Sequence, residues 1–472
     1  MRGVAAAAVY LCFSFAIATA ATPLTLHDSV VYALSHNAAI AAKKSAVASA
    51  QATFTKQRAQ ELPPVTGTLQ NQLARSSNAG GQFAQFGIAP SNKFSQNTAQ
   101  IGTQYTLYNG SLTQIAAQEG KRQLESARAD LKQTEEQVTT NVVSAYFGVA
   151  SKENGSLIAR NNLAYQQTLL SAARAKERAG LVAGVDVLRA DAAVQQALST
   201  NLVAQSDAQT ARETLAQSIG APIETPFTVS QTVPEPALPA QTVENLSRIA
   251  LANRPDIAVA QANLAVAKLS RAAIDTDLRP QITLNGAFGN QLSPTNAASQ
   301  AAQINSINSQ CAAGLLPPSQ CAGAPFTFNR GTPGFWQIGA TTTLGVPLID
   351  YGTRKTAHAA GDENIRSAQL ALDTTMYGAQ ADVHQSLRGA QTAAASLVYQ
   401  KKAAALAGES ARIAQLQYKN GLISLTDVTA AQNTAVSAQT DLFNARVAYV
   451  NALVKLRTAL GTFDPAGIVS DL

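Results

Sequence analysis

The chain has 472 residues, a formal net charge of +6, 14% charged residues and 6% aromatic residues. Its lysines and arginines form no dense cluster, so the small positive charge gives no reason to expect a nucleic-acid partner. No phosphate-binding loop or nucleophile motif occurs, so we expect neither an enzyme nor a cofactor. The four histidines show no metal-ligand spacing; they are His27, His36, His358 and His384.

Residues 1–20 have the pattern of a secretory signal peptide. Arg2 is followed by a short apolar run and then by the small-residue site Ala18-Thr19-Ala20. A retained membrane anchor is the alternative, but the run is short for a membrane span. Cys12 does not sit in a lipoprotein cleavage box, so we expect a mature chain that begins at Ala21 without lipid.

The rest of the chain contains one unit twice. Three residues recur 241 positions later, which pairs Gly180 with Gly421, Asp186 with Asp427 and Gly220 with Gly461. A repeat of this length indicates a duplicated domain half rather than a solenoid. We therefore predict a first repeat at residues 21–232, a proline-rich linker at 233–240, a second repeat at 241–463 and a short tail at 464–472.

Each repeat begins with a helix and a pair of strands. Leu26 to about Ala59 reads as one helix, which the sequence LPPV at Leu62–Val65 ends because proline cannot continue a helix. Two strands are predicted next, at Val65–Gln70 and Gln100–Tyr108, with Ile101, Thr103, Tyr105 and Leu107 on one face of the second.

The strands of the second repeat show the same alternation more clearly. Apolar residues alternate with small polar ones, and the apolar positions are Ile282, Leu284, Phe288, Trp336, Ile338, Ala340, Leu344 and Val346. Strands of about 10 residues with one apolar face are typical of a transmembrane β-barrel. A soluble sheet packed on helices gives the same pattern, so both interpretations stay open at this point.

Two very long helices follow the strands. Ser111–Ala179 and Thr353–Asn420 contain no proline, and a helix of that length spans about 100 Å. Gly180 and Gly421 are predicted to form the turns at the hairpin tips, where positive φ is needed. Return helices then open near Asp186 and Asp427 and end at glycines, namely Gly220 and Gly461.

Two cysteines lie in the segment that makes the second repeat longer. In an exported protein, Cys311 and Cys321 are expected to form a disulfide that closes a small loop. Two unpaired thiols or a metal-binding pair are the alternatives.

Neither element can be complete in one chain. A long helix hairpin leaves apolar surface uncovered, and four membrane strands cannot close a barrel, because the smallest barrels have about 8 strands. Identical chains around a symmetry axis are the simplest source of the missing partners.

Five segments carry a resemblance to the outer-membrane efflux proteins, the TolC-like exit ducts of diderm bacteria. They are ERAGLVAGVDVLRADAAV at 177–194, ALANRPDI at 250–257, LRPQITL at 278–284, GVPLIDYGTR at 345–354 and QYKNGLISLTDVTAAQ at 415–432. Their doubled order covers essentially the whole mature chain. The resemblance implies an α+β membrane protein, with four strands per chain in a transmembrane β-barrel that continues into a long α-helical coiled-coil barrel.

The resemblance also implies partners and a location. Such proteins are homotrimers in outer-membrane lipid with a large periplasmic portion, and a periplasmic adaptor and an inner-membrane pump, of the resistance or ABC transporter type, work with them. The implied function is an exit duct for efflux or type I secretion, and we favour small-molecule efflux because it is the commoner role. The alternative is a periplasmic coiled-coil adaptor or scaffold that does not span the membrane.

The resemblance implies a gate at the hairpin tips. Asp427 matches the family's pore-facing aspartate, although Ala430 replaces the second acid of the strongest version, and simple helix capping is the alternative role. Tyr418 and Asp186 match a hydrogen-bonded pair that restrains the tip helices, or Tyr418 is an ordinary core aromatic. Ile423 occupies the position of a bridging arginine, so that restraint is absent.

Overall fold

The computed structural model describes residues 22–75, 93–292, 294–321 and 334–462. These residues form two compact units. One contains the described parts of Met1–Ala48, Glu125–Gln261 and Leu370–Leu472, and the other contains those of Ser49–Leu124 and Ala262–Gln369.

The helix predicted from Leu26 is two helices, α1 at Leu26–His36 and α2 at Ala38–Ala59. The prediction of one continuous helix was wrong because Asn37 has an extended backbone. Its side chain accepts a hydrogen bond from the N–H of Ala39 and donates one to the backbone oxygen of Ser218, both at 2.9 Å. A tertiary contact therefore fixes this break.

The second repeat has a matching break. The helices α5 at Val243–Asn253 and α6 at Pro255–Ala273 meet at Arg254, whose backbone is also extended. Here the cause is local, because proline disfavours a helical conformation in the residue before it and suits the first position of a helix.

Four long helices form two hairpins. The first hairpin is α3 at Leu112–Arg178 with α4 at Gly184–Ile219, and the second is α9 at Thr353–Lys419 with α10 at Leu425–Leu460. The predicted helices are confirmed to within a few residues. Gly220 and Gly461 end the return helices with φ of 79° and 64°, a conformation that favours glycine.

The first unit has two buried cores that use equivalent positions of the two repeats, and the first core also includes residues of α10, such as Val447 and Val450. Val142, Leu215 and Ile219 of the first core correspond, 241 residues later, to Val383, Leu456 and Leu460 of the second. All six side chains are buried. The internal repeat is therefore visible in the packing as well as in the sequence.

A small parallel sheet closes the first core, and the sequence did not predict it. It pairs β1 at Thr22–Leu24 with β4 at Phe227–Val229. The hydroxyl of Tyr146 donates to the backbone oxygen of Leu24 and accepts from the N–H of Ser230, both at 3.1 Å. Burial raises the pKa of this phenol, so it stays a neutral hydrogen-bonding group.

The second unit holds an antiparallel sheet of four strands in the order β2-β3-β5-β6. The strands are β2 at Val65–Arg75, β3 at Lys93–Asn109, β5 at Gln281–Leu292 and β6 at Gly334–Thr343. Each predicted strand is present, and the two in the first repeat are longer than the sequence indicated. The last strand is shorter, because β6 ends at Thr343 and leaves Leu344 and Val346 beyond it.

Cross-strand pairing places the apolar residues on one face of this sheet. Gly67 pairs with Ile101, Ile101 with Phe288, and Phe288 with Trp336. The prediction for Leu107 was wrong, because a β-bulge between Thr106 and Tyr108 leaves Leu107 without a cross-strand partner. Tyr108 takes its place beside Ile282.

The segment after β5 is more helical than the sequence suggested. It forms α7 at Pro294–Ala312 and a single turn, α8, at Pro318–Cys321. A disulfide joins Cys311 at the end of α7 to Cys321 in α8, with Cα atoms 5.7 Å apart. Among the residues that the structure describes, none of the helices is both long and apolar enough for a membrane span.

Candidate functional site: the helix-hairpin tips

The two hairpins turn in the same way. Gly180 and Gly421 have φ of 72° and 76° and follow the ends of α3 and α9. At the first tip the N–H of Gly180 binds the carbonyl of Glu177, and the N–H of Leu181 binds that of Lys176. Gly421 and Leu422 make the equivalent bonds. Each turn is therefore a Schellman motif, which satisfies the last carbonyls of the helix.

An apolar cluster holds the two tips together. We call it the tip cluster. Its buried members come from all four long helices and are Leu169, Leu170, Ala173, Ala190, Val194, Ala414, Tyr418, Leu425 and Val428. Ile423 is partly buried against it. Ile423, which was predicted to lack the bridge that an arginine provides, therefore contributes packing.

Asp427 caps its helix through a reciprocal pair of hydrogen bonds. The N-cap residue of α10 is Ser424, whose Oγ accepts from the N–H of Asp427 at 3.2 Å. The Asp427 carboxylate accepts in turn from the N–H of Ser424 at 3.2 Å and from its hydroxyl at 2.7 Å. This capping box satisfies two backbone donors at the start of the helix.

Asp427 nevertheless keeps an exposed charge. Its side chain lies at the surface of the chain, and within the described ranges no Lys, Arg or His lies within 4 Å of its carboxylate. The structure thus shows the capping role that was the alternative for Asp427. Its role in a pore stays a prediction.

The equivalent residue of the first repeat behaves differently. The N-cap of α4 is Ala183, which has no side chain able to cap, and Asp186 forms an ion pair of 3.6 Å with Arg189 instead. Side-chain capping is therefore not the shared role of Asp186 and Asp427 that their equivalent positions suggested.

Tyr418 and Asp186 lie near each other without the predicted hydrogen bond. Tyr418 is 6% exposed and belongs to the tip cluster. Burial raises the pKa of its phenol, and the negative charge of Asp186 raises it further. Across the part of the chain that the structure describes, no hydrogen bond joins the two side chains. Tyr418 is held by another residue.

Lys176 holds Tyr418, and the sequence did not identify it. Its Nζ donates to the backbone oxygen of Tyr418 at 3.0 Å and stands 4.0 Å from the centre of the Tyr418 ring. A lysine in the last turn of a helix usually indicates compensation of the helix dipole. That signal was present, but it could not reveal a partner 242 positions later in the chain.

A second polar site lies in the same unit, where α3, α6, α9 and α10 meet around a cavity of about 350 Å³. Arg254 binds Asp256 through two hydrogen bonds of 3.1 and 2.6 Å and Asp382 through one of 3.0 Å. Glu136 also lines the cavity. It is 3% exposed, and one of its carboxylate oxygens has no hydrogen-bond partner.

The burial of Glu136 controls its charge. Removal of the carboxyl from water raises its pKa from 4.5 to about 7, while the positive charges of Lys132 and Arg254 oppose the rise and Asp256 adds to it. Glu136 therefore titrates close to neutral pH.

Within the described residues, no cluster of three or more His, Cys, Asp or Glu side chains is arranged to hold a metal ion. The tips provide a packed contact between the two hairpins, the exposed carboxylate of Asp427 and the ammonium of Lys176 between two helix ends. Such an arrangement can restrain or release a movement.

Comparisons with known proteins agree with this architecture. The family model described as outer membrane efflux protein matches residues 30–221 and 246–462, which are the two repeats. Nodulation protein T of Rhizobium leguminosarum bv. trifolii is 22% identical over 340 residues, which are 72% of this chain and 66% of that protein. Pyoverdine export outer membrane protein OpmQ of Pseudomonas aeruginosa is 24% identical over 435 residues, 91% of this chain and 83% of that protein.

Solved structures show the same fold at low sequence identity. The Campylobacter jejuni outer membrane channel CmeC superposes with a TM-score of 0.75 at 16% identity, covering 94% of this chain and 88% of CmeC. The outer-membrane channel OprN gives 0.72 at 20% identity, covering 92% and 89%. The chain therefore has a TolC-like fold and belongs to the outer membrane efflux protein family.

Proposed function

We propose that three copies of the chain form an exit duct in the outer membrane. The observation that carries this proposal is the sheet of the second unit, whose apolar face is open to the surroundings. Leu69, Trp336 and Ile338 are 90%, 77% and 75% exposed on this face. Large apolar patches on a soluble protein are rare, whereas membrane barrels present such a face to lipid.

The edges of the sheet support assembly with identical chains. Strands β2 and β6 are the outer strands, and each is paired on one side only. Unpaired strand edges invite further strands. Pairing β6 of one copy with β2 of the next around a threefold axis gives a closed barrel of twelve strands from three sheets of four.

The polar face supports a water-filled lumen. Thr68 and Gln100 are paired on this face, and Asn285 and Gly339 are paired further along it. Small and polar side chains with no charge suit a passage that admits varied solutes. The face therefore gives no selectivity for one class of cargo.

At the tips, Asp427 is proposed as the gate residue. Three Asp427 carboxylates around the axis create a negative ring, because no cation of the described chain neutralises them. Such a ring holds hydrated cations and resists their passage. Asp186 and Tyr418 belong to the restraint that keeps the tip helices together, through shared packing and charge rather than through a direct bond.

The duct depends on other proteins for energy. We propose a periplasmic adaptor and an inner-membrane pump, either a resistance-type pump or an ABC transporter, as partners. Small-molecule efflux is the favoured function, and the relatives named for pyoverdine export support it. Export through a signal peptide at residues 1–20 brings the chain to the envelope.

Fractionation and bilayer recording test the proposal together. The full chain, expressed with its own N-terminus, should enter the outer-membrane fraction as a heat-modifiable trimer. Purified trimers should form channels in planar lipid bilayers. A folded monomer in the periplasmic fraction that forms no channel would instead identify a coiled-coil adaptor or scaffold.

A further inference from the structure

The contact between Lys176 and Tyr418 joins the two hairpin tips by polar atoms. Lys176 lies in the last turn of α3, and Tyr418 lies in the last turn of α9. The ammonium has two favourable contacts with the same residue, a hydrogen bond of 3.0 Å to its carbonyl and a position 4.0 Å from its ring centre. Both contacts are stronger when they are shielded from water, and this pair is partly buried.

The ammonium of Lys176 also lies where it can offset the partial negative charge at the ends of two helices. The carbonyls at the end of a helix carry partial negative charge, and that of Tyr418 accepts from the N–H of Gly421 as well as from Lys176. Because α3 and α9 both end at the tips, their negative ends lie on the same side of the tip cluster. Lys176 belongs to one of these ends and binds a carbonyl of the other. Within the described ranges, no carboxylate lies within 4 Å of its Nζ, so Tyr418 is its partner.

This contact is not a remnant of the internal repeat. The offset of 241 places Gln417 opposite Lys176 and Tyr418 opposite Glu177. A glutamine and a glutamate cannot reproduce a cation over an aromatic ring. The contact therefore exists once per chain and distinguishes the second hairpin from the first.

We infer that Lys176 is a positioning residue for the gate, and that it favours the closed duct by holding the second hairpin tip against the first. The inference rests on the duct function proposed above. The polar restraint of the tip helices then comes from Lys176, whereas the sequence analysis had attributed it to a hydrogen bond between Asp186 and Tyr418. It also explains how the tip is held although Ile423 replaces the bridging arginine.

The test compares three substitutions in purified trimers. Lys176→Met removes the charge and both contacts, while Lys176→Arg retains a cation that can reach the ring and the carbonyl. Lys419→Met is the matched control, because it removes one positive charge from an exposed position at the end of α9, next to Tyr418. Single-channel recordings in planar bilayers, at low divalent-cation concentration, measure the ratio of open to closed time.

We expect Lys176→Met to raise this ratio about tenfold. Lys176→Arg should stay within about twofold of the unsubstituted protein. Lys419→Met should leave the ratio unchanged. A ratio for Lys176→Met equal to that of the unsubstituted protein would overturn the inference, and so would an equal rise for Lys419→Met.

Tyr418→Phe separates the two possible restraints. It keeps the ring and the backbone carbonyl, so the Lys176 contact survives and the ratio should not change. A rise with Tyr418→Phe but not with Lys176→Met would overturn the inference in favour of a bond through the phenol hydroxyl to Asp186.

The outcomes distinguish this inference from the proposed function. If the unsubstituted protein forms no channel, the duct function is refuted. If it forms channels and the Lys176 variants gate normally, only the role of Lys176 is refuted. Should Lys176→Met fail to assemble, Lys176→Gln replaces it. Failure of both neutral variants to form trimers would show a structural role and would also overturn the inference.

Discussion

The side chains of Ser424 and Asp427 bond reciprocally at the start of α10, whereas the equivalent residues of the first repeat, Ala183 and Asp186, share only a backbone hydrogen bond of 3.0 Å. The duplicated hairpins therefore differ at the position that the family resemblance identified as the gate. The capping role of Asp427 can be separated from its proposed role in the gate, since its hydrogen bonds cap a helix and its carboxylate lies at the surface of the chain.

Substitutions at Asp427 and Ser424 separate these two functions. Asp427→Asn removes the charge but keeps an oxygen that accepts hydrogen bonds, so it should relieve channel block by multivalent cations. Ser424→Ala should leave that block unchanged, because it retains the Asp427 carboxylate. It should lower the stability of the tip by about 1 kcal/mol, the usual cost of losing an N-cap.

Single-channel recordings with a multivalent cation on the tip side measure the block, and limited proteolysis of the tips measures the local stability. Equal block in Asp427→Asn and the unsubstituted channel would restrict Asp427 to capping. Relief of block by Ser424→Ala would show that the capping geometry, rather than the charge, sets the effect.

Glu136 makes the first unit sensitive to pH. Its pKa is raised to about 7 in the folded chain, so between pH 4.5 and 7 the folded state binds more protons than the unfolded state does. Stability should therefore fall as the pH rises through this range. This difference between the folded and unfolded pKa of Glu136 changes the free energy of unfolding by at most about 3 kcal/mol.

Glu136→Gln removes this titration and keeps the size of the side chain. We expect the dissociation temperature of the unsubstituted trimer to be lower at pH 8 than at pH 5.5, and this difference to shrink in the variant. An equal change in dissociation temperature between pH 5.5 and pH 8 in the two proteins would show that other groups control the pH dependence. Glu213→Gln is the control, because it removes a carboxylate of the same unit that is not among the charges shifting the pKa of Glu136.

The long hairpins could be predicted from the sequence because their causes are local. Proline-free runs, terminal glycines and alternating strands are visible without knowledge of the fold. The break at Asn37 could not be predicted in this way, because the side chain of Asn37 bonds to the backbone oxygen of Ser218, far along the chain. The parallel pair of β1 and β4 was missed for the same reason, since strands of three residues carry no pattern.

The site was predictable to a similar extent. The glycines of the tips and the position of Asp427 followed from the repeat and the family resemblance. The capping box could have been found, because Ser424 precedes Asp427 by three residues at a helix start. The contact of Lys176 and the cavity around Glu136 could not have been found from the sequence. Their partners come from helices that only the tertiary structure brings together.

The disulfide should stabilise its own segment and little else. Cys311 and Cys321 are ten positions apart, and closing so short a loop contributes about 2–3 kcal/mol in the chain-entropy model. Replacing both residues with serine should therefore leave trimer formation and conductance unchanged, while the segment becomes more sensitive to protease. Thiol labelling of the unfolded, non-reduced protein checks the bond itself, and reaction of both cysteines would contradict it.

Adjacent positions of β6 test the orientation of the sheet. Ile338 lies on the apolar face and Gln337 on the polar face, because neighbouring residues of a strand point to opposite sides. A lysine facing lipid near the middle of a membrane costs about 2–4 kcal/mol, and a trimer carries three copies. Ile338→Lys should therefore prevent assembly in the outer membrane. Gln337→Lys should assemble normally and shift the channel toward anion selectivity, because it adds positive charge to the lumen.

Heat-modifiability of the outer-membrane fraction measures assembly, and reversal potentials in a salt gradient measure selectivity. The two variants add the same charge one residue apart, so each is the matched control of the other. Normal assembly of Ile338→Lys together with failure of Gln337→Lys would reverse the assignment of the faces. Normal assembly of both variants would mean that neither face meets lipid, and the sheet would then belong to a protein that does not span the membrane.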